Sequence, residues 1–426
     1  MKIEELYKLY LQYPSVQTDT RKLKPDDLFF ALKGPTFNGN QFSKRAIESG
    51  AAYAVIDDKQ YVVPDKTILV EDVLTTLQEL AKYHRQQLNI PFIAITGSNG
   101  KTTTKELIHS VLSTTYKTYT TEGNLNNHIG VPLTILKIRK DAEMAVIEMG
   151  ANHLQEIAFY CRIALPDYGL ITNCGKAHLE GFGSEEGVRK GKGELFDHLR
   201  NNNGTAFVMW DYSYLREMSK GINYIITYGT REAEITGEVA ESDPFISVKF
   251  TKGFNGTIQT SLVGAYNLPN ILAAVAAGSF FKIPDIKIKT AIEQYLPTNS
   301  RSQLLQKDTD KIILDAYNAN PSSMKAAIEN FARAPGNKKI LVLGAMAELG
   351  PDSIKEHQAI LDEIKKYKWQ DVILVGGDFM KMDHPFQRFN SSEQAGIWLK
   401  QHKSDNRFLL IKGSRSMKME KVLEYL

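Results

Sequence analysis

A glycine-rich turn carries the clearest chemical signal in this sequence. It follows a short apolar run at residues 92–96, precedes a stretch with helical spacing, and reads Gly97-Ser98-Asn99-Gly100-Lys101-Thr102-Thr103. Glycines let backbone amides approach phosphate oxygens, and a Lys-Thr pair at a helix start supplies a cation and a hydroxyl for Mg²⁺. The spacing is shorter than in the common Gly-x-x-x-x-Gly-Lys-Ser/Thr loop because position 95 is Ile. We predict a phosphate-binding loop for ATP or GTP, against the alternative of a glycine turn that happens to precede Lys-Thr.

Three ionisable residues further along the chain are candidates for the same site. Glu148 ends an apolar run, where a carboxylate is costly unless it is paired or bound to a metal; a cap or a salt bridge is the alternative. His178, taken alone, is typical of an ordinary polar loop residue. Lys192 as an ammonium cannot ligate Mg²⁺, so a salt bridge is its default interpretation. Of these three residues, residue type alone favours only Glu148 as a metal ligand.

The elements that must position these residues alternate between strands and helices. After residue 89, apolar strand-like runs at 92–96, 145–147, 170–172 and 206–209 alternate with helical stretches, which predicts a parallel sheet. Beyond a linker at 295–300, similar runs recur at 312–314, 340–343, 372–375 and 408–411. Between them, Asn320-Pro321 is a good helix start, with Asn as N-cap and Pro at the first helical position. This last part is typical of a separate doubly wound domain.

The predicted fold class is α/β with three domains. Their boundaries are a small α/β domain at 1–88, a central phosphate-loop domain with a parallel sheet at 89–298, and a Rossmann-like domain at 299–426.

Composition narrows the class of protein further. Apolar residues are 42% and charged residues 24% of the chain, and 52 basic minus 49 acidic residues leave a charge of +3. Such a small charge gives no support for a nucleic-acid or membrane partner. The two cysteines cannot form a disulfide framework, and the first residues show no apolar core of a secretory leader. We expect a cytoplasmic, monomeric enzyme without a membrane span.

Motifs along nearly the whole chain resemble those of the Mur ligase family, which also includes folylpolyglutamate synthases. After the shortened phosphate loop come TEGNLNNHIGVP at 121–132, EMG at 148–150, TN at 172–173, HLE at 178–180 and KGKGE at 190–194. GNLNNHIGVP and YNANP at 317–321 are most similar to the branch that adds D-alanyl-D-alanine to UDP-N-acetylmuramoyl-tripeptide. The resemblance extends to GAMAELG at 344–350, KGSR at 412–415, DTR at 19–21 and DLFFALKG at 27–34.

The resemblance implies a role for each matching residue. The implied catalytic residues are Lys101, Asn127, His178 and Lys192, and the implied ligands of two Mg²⁺ ions are Thr102, Glu148, His178 and Lys192. In the family this lysine is carbamylated by CO₂, which would give Lys192 anionic oxygens; Lys190 matches that context less well. Besides residues 97–103, the implied ATP contacts are Asn267, Asn270, Arg301 and Asp315. The implied contacts of the uridine nucleotide are Thr20, Arg21 and Lys33.

Three motifs depart from the family pattern. The family often has Gly-x-His-Asn where this chain has Gly264-Ala265-Tyr266-Asn267, which affects one adenine contact. Residues 37–40 read FNGN in place of FDGH, which affects recognition of the nucleotide sugar. Leu314 replaces the first of two aspartates, but Asp315 keeps the position that the family uses for ribose.

The implied reaction is formation of a peptide bond through an acyl phosphate. ATP phosphorylates a carboxylate, an amine then attacks, and phosphate leaves, in a step of peptidoglycan precursor synthesis that serves cell-wall biogenesis, cell shape and cell division. The motifs leave open whether the tripeptide ends in lysine or diaminopimelate. The rivals are another ligase of the family, such as a folylpolyglutamate synthase, and a phosphate-loop nucleotide switch. The segment before the phosphate loop argues against the first rival, and the series Glu148, His178 and Lys192 argues against the second.

Overall fold

The computed structural model describes residues 1–298 and 300–426, and it contains three successive α/β domains, each built on its own sheet. The predicted fold class is confirmed. Asn299, the predicted first residue of the third domain, lies outside the described residues.

The N-terminal domain is a small parallel sheet with helices. Its elements are α1 (Ile3–Gln12), β1 (Val16–Gln17), β2 (Leu28–Phe30), β3 (Lys33–Gly34), β4 (Phe37–Asn38), α2 (Ser43–Glu48), β5 (Tyr53–Ile56), β6 (Thr67–Leu69) and α3 (Val73–Gln86). The sheet order is β1-β2-β5-β6, and β3 pairs with β4 in a separate two-stranded hairpin. Asp72 caps α3 by accepting from the Thr75 amide, and Leu77 and Leu80 of α3 are fully buried. Helix α3 packs on helices of the central domain, so the two domains share one apolar core.

The central domain is built on a nine-stranded sheet. Its elements are β7 (Phe92–Thr96), α4 (Lys101–Leu112), β8 (Thr118–Thr120), α5 (Gly130–Leu136), β9 (Met144–Glu148), α6 (Glu156–Ala164), β10 (Tyr168–Ile171), α7 (Leu179–Phe182), α8 (Glu185–Asn201), β11 (Thr205–Met209), α9 (Ser213–Met218), β12 (Tyr224–Gly229), β13 (Ile235–Ser242), β14 (Phe245–Lys252), β15 (Thr257–Val263), α10 (Leu268–Phe280) and α11 (Asp285–Gln294). The strand order is β15-β14-β13-β12-β11-β10-β7-β9-β8. The predicted parallel pairing is confirmed for β9, β7, β10 and β11, and it continues into β8, β12 and β13, which were not predicted. Strands β13, β14 and β15 pair antiparallel and extend one edge that was also not predicted.

The C-terminal domain has a six-stranded sheet in the order β16-β17-β21-β18-β19-β20. Its elements are β16 (Gln303–Lys307), β17 (Asp310–Asp315), α12 (Pro321–Arg333), β18 (Lys339–Gly344), α13 (Ser353–Ile364), β19 (Asp371–Val375), β20 (Gln387–Phe389), α14 (Ser392–Gln401) and β21 (Phe408–Lys412). All pairs are parallel except β16 with β17. The predicted start of α12 is confirmed, because Asn320 accepts from the Ser323 amide and Pro321 is the first helical residue.

The strand order places the predicted phosphate loop after an interior strand of the middle sheet. Strand β7 lies between β10 and β9, and the chain leaves its carboxyl end into the glycine-rich turn. Glu148 ends β9, and Thr172 directly follows β10. In open α/β sheets ligands bind at the carboxyl ends of strands where the strand order reverses. In the described part of the chain, no helix is long and apolar enough to cross a membrane.

Candidate active site

Two glycines shape the phosphate loop. Gly97 has φ +142° and Gly100 has φ +80°, conformations that side chains with a Cβ rarely adopt. A Cβ at Gly97 would overlap the Thr172 hydroxyl, and one at Gly100 would lie 2.6 Å from Asn270 Oδ1. Helix α4 begins directly after the turn, so its free N-terminal amides lie at the loop. The arrangement has the backbone of an anion-binding site.

The loop is braced by the segment that follows β10. Ser98 donates its amide to Asn173 O (2.9 Å) and its hydroxyl to Gly175 O (2.9 Å). The Asn99 amide donates to Asn173 Oδ1 at 3.0 Å, and the Thr172 hydroxyl donates to Asn99 O at 2.6 Å. The predicted strand at 170–172 ends one residue earlier, at Ile171, which frees Thr172 for this contact.

Lys101 lies folded against its own loop. Its Nζ donates to Gly97 O at 2.6 Å and to Ser98 O at 3.3 Å. Burial lowers the pKa of Lys101, and the negative charge of Glu148 opposes that shift. Both acceptors are loop carbonyls, so the ammonium lies against the loop backbone.

Glu148 is held with one carboxylate oxygen satisfied and the other unsatisfied. It is buried, its amide donates to Thr121 Oγ1 (2.9 Å), and its Oε1 accepts from Asn126 Nδ2 (2.7 Å). Its Oε2 is shielded from solvent and has no hydrogen-bond partner among the described residues. A buried carboxylate oxygen without a donor is costly unless a cation neutralises it.

The sequence analysis missed Asn126, which is the asparagine that orients Glu148. Asn127, the neighbour with the implied catalytic role, instead accepts at its Oδ1 from the amides of Ile129 and Gly130 at the start of α5. The run Gly-Asn-Leu-Asn-Asn contains three asparagines. Nothing in their spacing indicates which one faces the strand end.

Lys192 is enclosed by the protein, whereas Lys190 is exposed. The Lys192 Nζ donates to Ala151 O at 2.9 Å and lies 5.0 Å from the ring centroid of Phe182. Burial, assisted by the positive charge of Lys101, lowers the pKa of Lys192 to about 7. A substantial fraction of this amine is therefore neutral near pH 7, and only the neutral form is a nucleophile.

His178 faces the C-terminal domain. It precedes α7 in a left-handed conformation with φ 53°, and its Nδ1 lies 2.5 Å from Glu348 Oε2. Hydrogen bonding to His178 lowers the pKa of Glu348. Nδ1 is shielded from solvent, and among the described residues it has no hydrogen-bond partner other than this carboxylate contact.

The implied adenine and ribose contacts lie at the junction of the two larger domains. Asn270 Oδ1 accepts from the Thr104 hydroxyl at 3.0 Å, and its Nδ2 donates to Asn267 Oδ1 at 2.9 Å. These bonds fix both asparagines beside the phosphate loop. Asp315 pairs with Lys412 at 2.6 Å and accepts from the Ser302 amide at 3.3 Å. Lys412 thus orients the implied ribose ligand. The sequence alone did not assign a binding partner to the motif that contains Lys412.

Arg301 stacks on an aromatic ring of the same domain. Its guanidinium carbon lies 3.7 Å from the ring centroid of Tyr317, and its buried Nε has no hydrogen-bond partner in the described part of the chain. A guanidinium held in this way keeps its charge and its donors for an anionic ligand.

Side-chain hydrogen bonds join the C-terminal domain to the phosphate loop and to the segment after β10. Asn320 Nδ2 donates to Asn99 Oδ1 at 2.8 Å, and the Lys176 amide donates to Ser322 Oγ at 3.0 Å. Lys176 Nζ also pairs with Glu356 at 2.6 Å. The structure therefore has these two domains closed on each other.

The implied nucleotide contacts of the first domain lie near its surface. Arg21 is exposed and pairs with Asp19 at 2.8 Å, which lowers the pKa of Asp19 to about 2. Thr20 begins the short helical turn that contains Arg21. Lys33 pairs with Asp57 at 2.8 Å, and Asp57 is in turn held by Asn40, whose Nδ2 donates to it at 2.8 Å. Asn40, one of the departures from the family pattern, thus supports Lys33 through Asp57.

Comparisons with known proteins cover all three domains. The model described as Mur ligase family, catalytic domain, matches residues 12–90, the Mur ligase middle domain matches 95–278, and the Mur ligase glutamate ligase domain matches 300–415. The chain is 36% identical to the UDP-N-acetylmuramoyl-tripeptide–D-alanyl-D-alanine ligase of Bacillus subtilis, over 96% of this chain and 92% of that one. It is 34% identical to the Escherichia coli enzyme of the same name, over 97% and 93%.

Solved structures of enzymes named MurF are also similar to this chain over nearly its full length. A crystal structure of MurF from Acinetobacter baumannii superposes with a TM-score of 0.87 at 29% identity, over 96% of this chain and 92% of that one. The MurF ligase of Thermotoga maritima in complex with ADP superposes with a TM-score of 0.87 at 27% identity, over 97% of each chain.

Proposed function

We infer a reaction for this chain from the fact that it belongs to the Mur ligase family. The chain is an ATP-dependent ligase that adds D-alanyl-D-alanine to UDP-N-acetylmuramoyl-tripeptide, a step of peptidoglycan precursor synthesis. The observation that carries this inference is its 36% identity, over nearly its full length, to a ligase named for this reaction. The arrangement of the phosphate loop, Glu148 and Lys192 supports it independently.

We propose the following division of labour between the domains, with the boundaries expected from the sequence. Residues 1–88 bind the uridine nucleotide, with Thr20, Arg21 and Lys33 among the contacts. ATP binds between the central and C-terminal domains, with its phosphates at the loop, its adenine near Asn267 and Asn270, and its ribose at Asp315. The dipeptide enters beside the C-terminal domain. Closure of that domain brings the reactants together and excludes water from the acyl phosphate.

The residues present fit Mg²⁺. Glu148 offers a buried carboxylate oxygen without a donor, Thr102 offers a hydroxyl at the start of α4, and His178 offers a ring nitrogen. Mg²⁺ is usually held by one or two protein ligands together with phosphate oxygens and water. When bound, it neutralises charge on the transferring phosphoryl group. We propose that these three residues hold two ions, and that Lys101 and Arg301 supply the remaining positive charge from the protein.

We also propose that Lys192 carries a carbamate. Its neutral Nζ attacks CO₂, a nitrogen–carbon bond forms, one C=O electron pair moves to oxygen, and the nitrogen releases one proton to water. The lowered pKa of Lys192 favours the neutral amine that this step needs. The product supplies anionic oxygens where an ammonium has none, and it gives Lys192 a means of supporting Mg²⁺.

A coupled assay tests the proposed reaction. Phosphate release should require ATP, D-alanyl-D-alanine and the nucleotide-linked tripeptide together, and mass spectrometry should detect the pentapeptide product. Comparing turnover of the tripeptide that ends in lysine with turnover of the one that ends in diaminopimelate identifies the third residue of the substrate. Folate with glutamate tests the folylpolyglutamate synthase reaction, and ATP hydrolysis without any acceptor tests the switch. Turnover with folate and none with D-alanyl-D-alanine would refute the assignment.

Cell fractionation and sedimentation test two further proposals. We propose a cytoplasmic enzyme, supported by two cysteines that are both free and buried. The monomeric state expected from the sequence stays a prediction.

A further inference from the structure

One loop of the C-terminal domain places a carboxylate against His178, and the proposed chemistry does not use it. This loop (residues 344–350) presents Glu348, whose Oε2 lies 2.5 Å from His178 Nδ1. The Glu180 amide donates to Glu348 O at 3.3 Å, so backbone and side chain of Glu348 both contact the histidine segment. Because Nδ1 is shielded from solvent, water cannot take the place of this partner.

The backbone on both sides of the contact is unusual. His178 has φ 53° and Glu348 has φ 62°. Residues other than glycine keep a left-handed conformation only where the surrounding structure determines it, and such residues cluster at functional sites. Two such residues facing each other across a domain boundary indicate that this contact is specified by the fold.

The loop that carries Glu348 is itself held firmly. The Ala345 amide donates to Val375 O at 2.9 Å, and Ala345 O accepts from the Ser414 hydroxyl at 2.6 Å. The Met346 amide donates to Nε2 of the fully buried His357 at 3.0 Å. Glu348 is therefore presented from a fixed position when the C-terminal domain closes.

We propose that Glu348 is a positioning residue that completes His178 as a metal ligand when the C-terminal domain closes on the central domain. The inference rests on the proposed role of His178. A histidine that binds a metal through one ring nitrogen usually donates the other N–H to a carboxylate, which fixes the tautomer and the ring orientation. With the proton on Nδ1 facing Glu348, Nε2 keeps the lone pair that a cation needs.

Because the carboxylate belongs to another domain, this tautomer is held only in the closed arrangement. Metal binding at His178 and closure therefore strengthen each other, as linkage requires. The coupling delays assembly of the phosphoryl-transfer site until the domain that receives the dipeptide has docked.

Metal binding by the full chain tests the proposal. Mn²⁺, a paramagnetic stand-in for Mg²⁺, is titrated by electron paramagnetic resonance in the presence of a non-hydrolysable ATP analogue. Glu348→Ala should weaken one of the Mn²⁺ sites roughly 10- to 100-fold. Glu348→Leu, which keeps the bulk without an acceptor, should do the same and replaces the alanine variant if that one does not fold.

Glu356→Gln is the matched control. It removes the charge of the Lys176–Glu356 pair, another contact between the same two domains, and leaves Glu348 in place. It should keep both Mn²⁺ affinities within about twofold. Equal weakening by Glu348→Ala and Glu356→Gln would show that only domain docking matters and would overturn the proposal.

A spectroscopic measurement separates positioning from general structure. In ¹⁵N-histidine-labelled protein, the His178 signals, assigned by their loss in His178→Ala, should report a proton on Nδ1 in the wild type. In Glu348→Ala they should shift towards a mixture of tautomers. Unchanged ring signals and an unchanged Mn²⁺ titration in Glu348→Ala would overturn the proposal. If His178→Ala keeps every Mn²⁺ site, the proposed metal role of His178 fails instead.

Discussion

Replacement of Lys192 by arginine separates a carbamate from a salt bridge. Arginine keeps the charge and approximate length, but its guanidinium stays protonated and cannot add CO₂. At pH 7 an amine with a pKa of about 7 is roughly half neutral, whereas at the ordinary value of 10.5 about one molecule in three thousand is neutral. Burial therefore raises the reactive fraction of Lys192 by a factor of roughly a thousand. Lys192→Arg and Lys192→Ala should both lose about a hundredfold or more in kcat.

Three measurements follow from this chemistry. Acetate should partly restore Lys192→Ala by supplying the missing oxygens, and it should not restore Lys192→Arg. Wild-type enzyme incubated with ¹³C-bicarbonate should show a carbamate carbon signal that both variants lack. The neutral fraction of the Lys192 amine decreases when the pH is lowered below its pKa. CO₂-depleted enzyme should therefore regain activity about fivefold more slowly at pH 6 than at pH 7, at equal dissolved CO₂. A fully active Lys192→Arg enzyme would return Lys192 to the role of a salt-bridge partner.

The remaining predictions concern the phosphate loop, the first domain and the Glu148 site. Lys101→Ala should reduce turnover by orders of magnitude with an unchanged circular dichroism spectrum, because the loop loses its cation for the β- and γ-phosphates; near-normal turnover would contradict the loop assignment. Arg21→Ala should weaken binding of the nucleotide-linked tripeptide in calorimetry and leave ATP binding unchanged, and equal weakening of both would count against separate substrate domains. Asn126→Ala should raise the Mg²⁺ concentration for half-maximal rate roughly 10- to 100-fold, because Glu148 loses its orienting donor. Asn127→Ala should mainly lower thermal stability through loss of the two hydrogen bonds that its side chain accepts at the start of α5, a cost of about 1 kcal/mol; a larger loss of turnover than in Asn126→Ala would instead support the catalytic role predicted for Asn127.

Local sequence signals predicted the phosphate loop because its requirements are themselves local. The two glycines with positive φ, the lysine and the helix start all lie within residues 97–103. The Asn320-Pro321 helix start was predictable for the same reason, since the cap and the first helical position are adjacent. In the same way, the apolar runs predicted β7, β9, β10 and β11 of the central sheet and β17, β18, β19 and β21 of the C-terminal sheet, but not β8, β12, β13 or β20.

Features that depend on distant partners were not predictable in this way. The antiparallel edge formed by β13, β14 and β15 carries no motif, and the mixture of buried and exposed residues in these strands does not indicate which edge of the sheet they join. The choice between Asn126 and Asn127 depends on which one faces the end of β9, and this is set by how the loop folds back on the sheet. The Lys412–Asp315 pair joins residues 97 positions apart.

The division of the site between domains gives these distant contacts a chemical meaning. Phosphoryl transfer to a carboxylate creates an acyl phosphate that water hydrolyses. If the cations assemble only after closure, the acyl phosphate forms only where water is excluded. Lys101, Glu148 and Lys192 belong to the central domain and are in place without help from the C-terminal domain. Arg301, Asp315 and Glu348 belong to the C-terminal domain. On the proposed assignment, the charged groups that the central domain offers to ATP are thus separate from those that the C-terminal domain brings, and the Asn99–Asn320 bond joins the two domains at the phosphate loop itself.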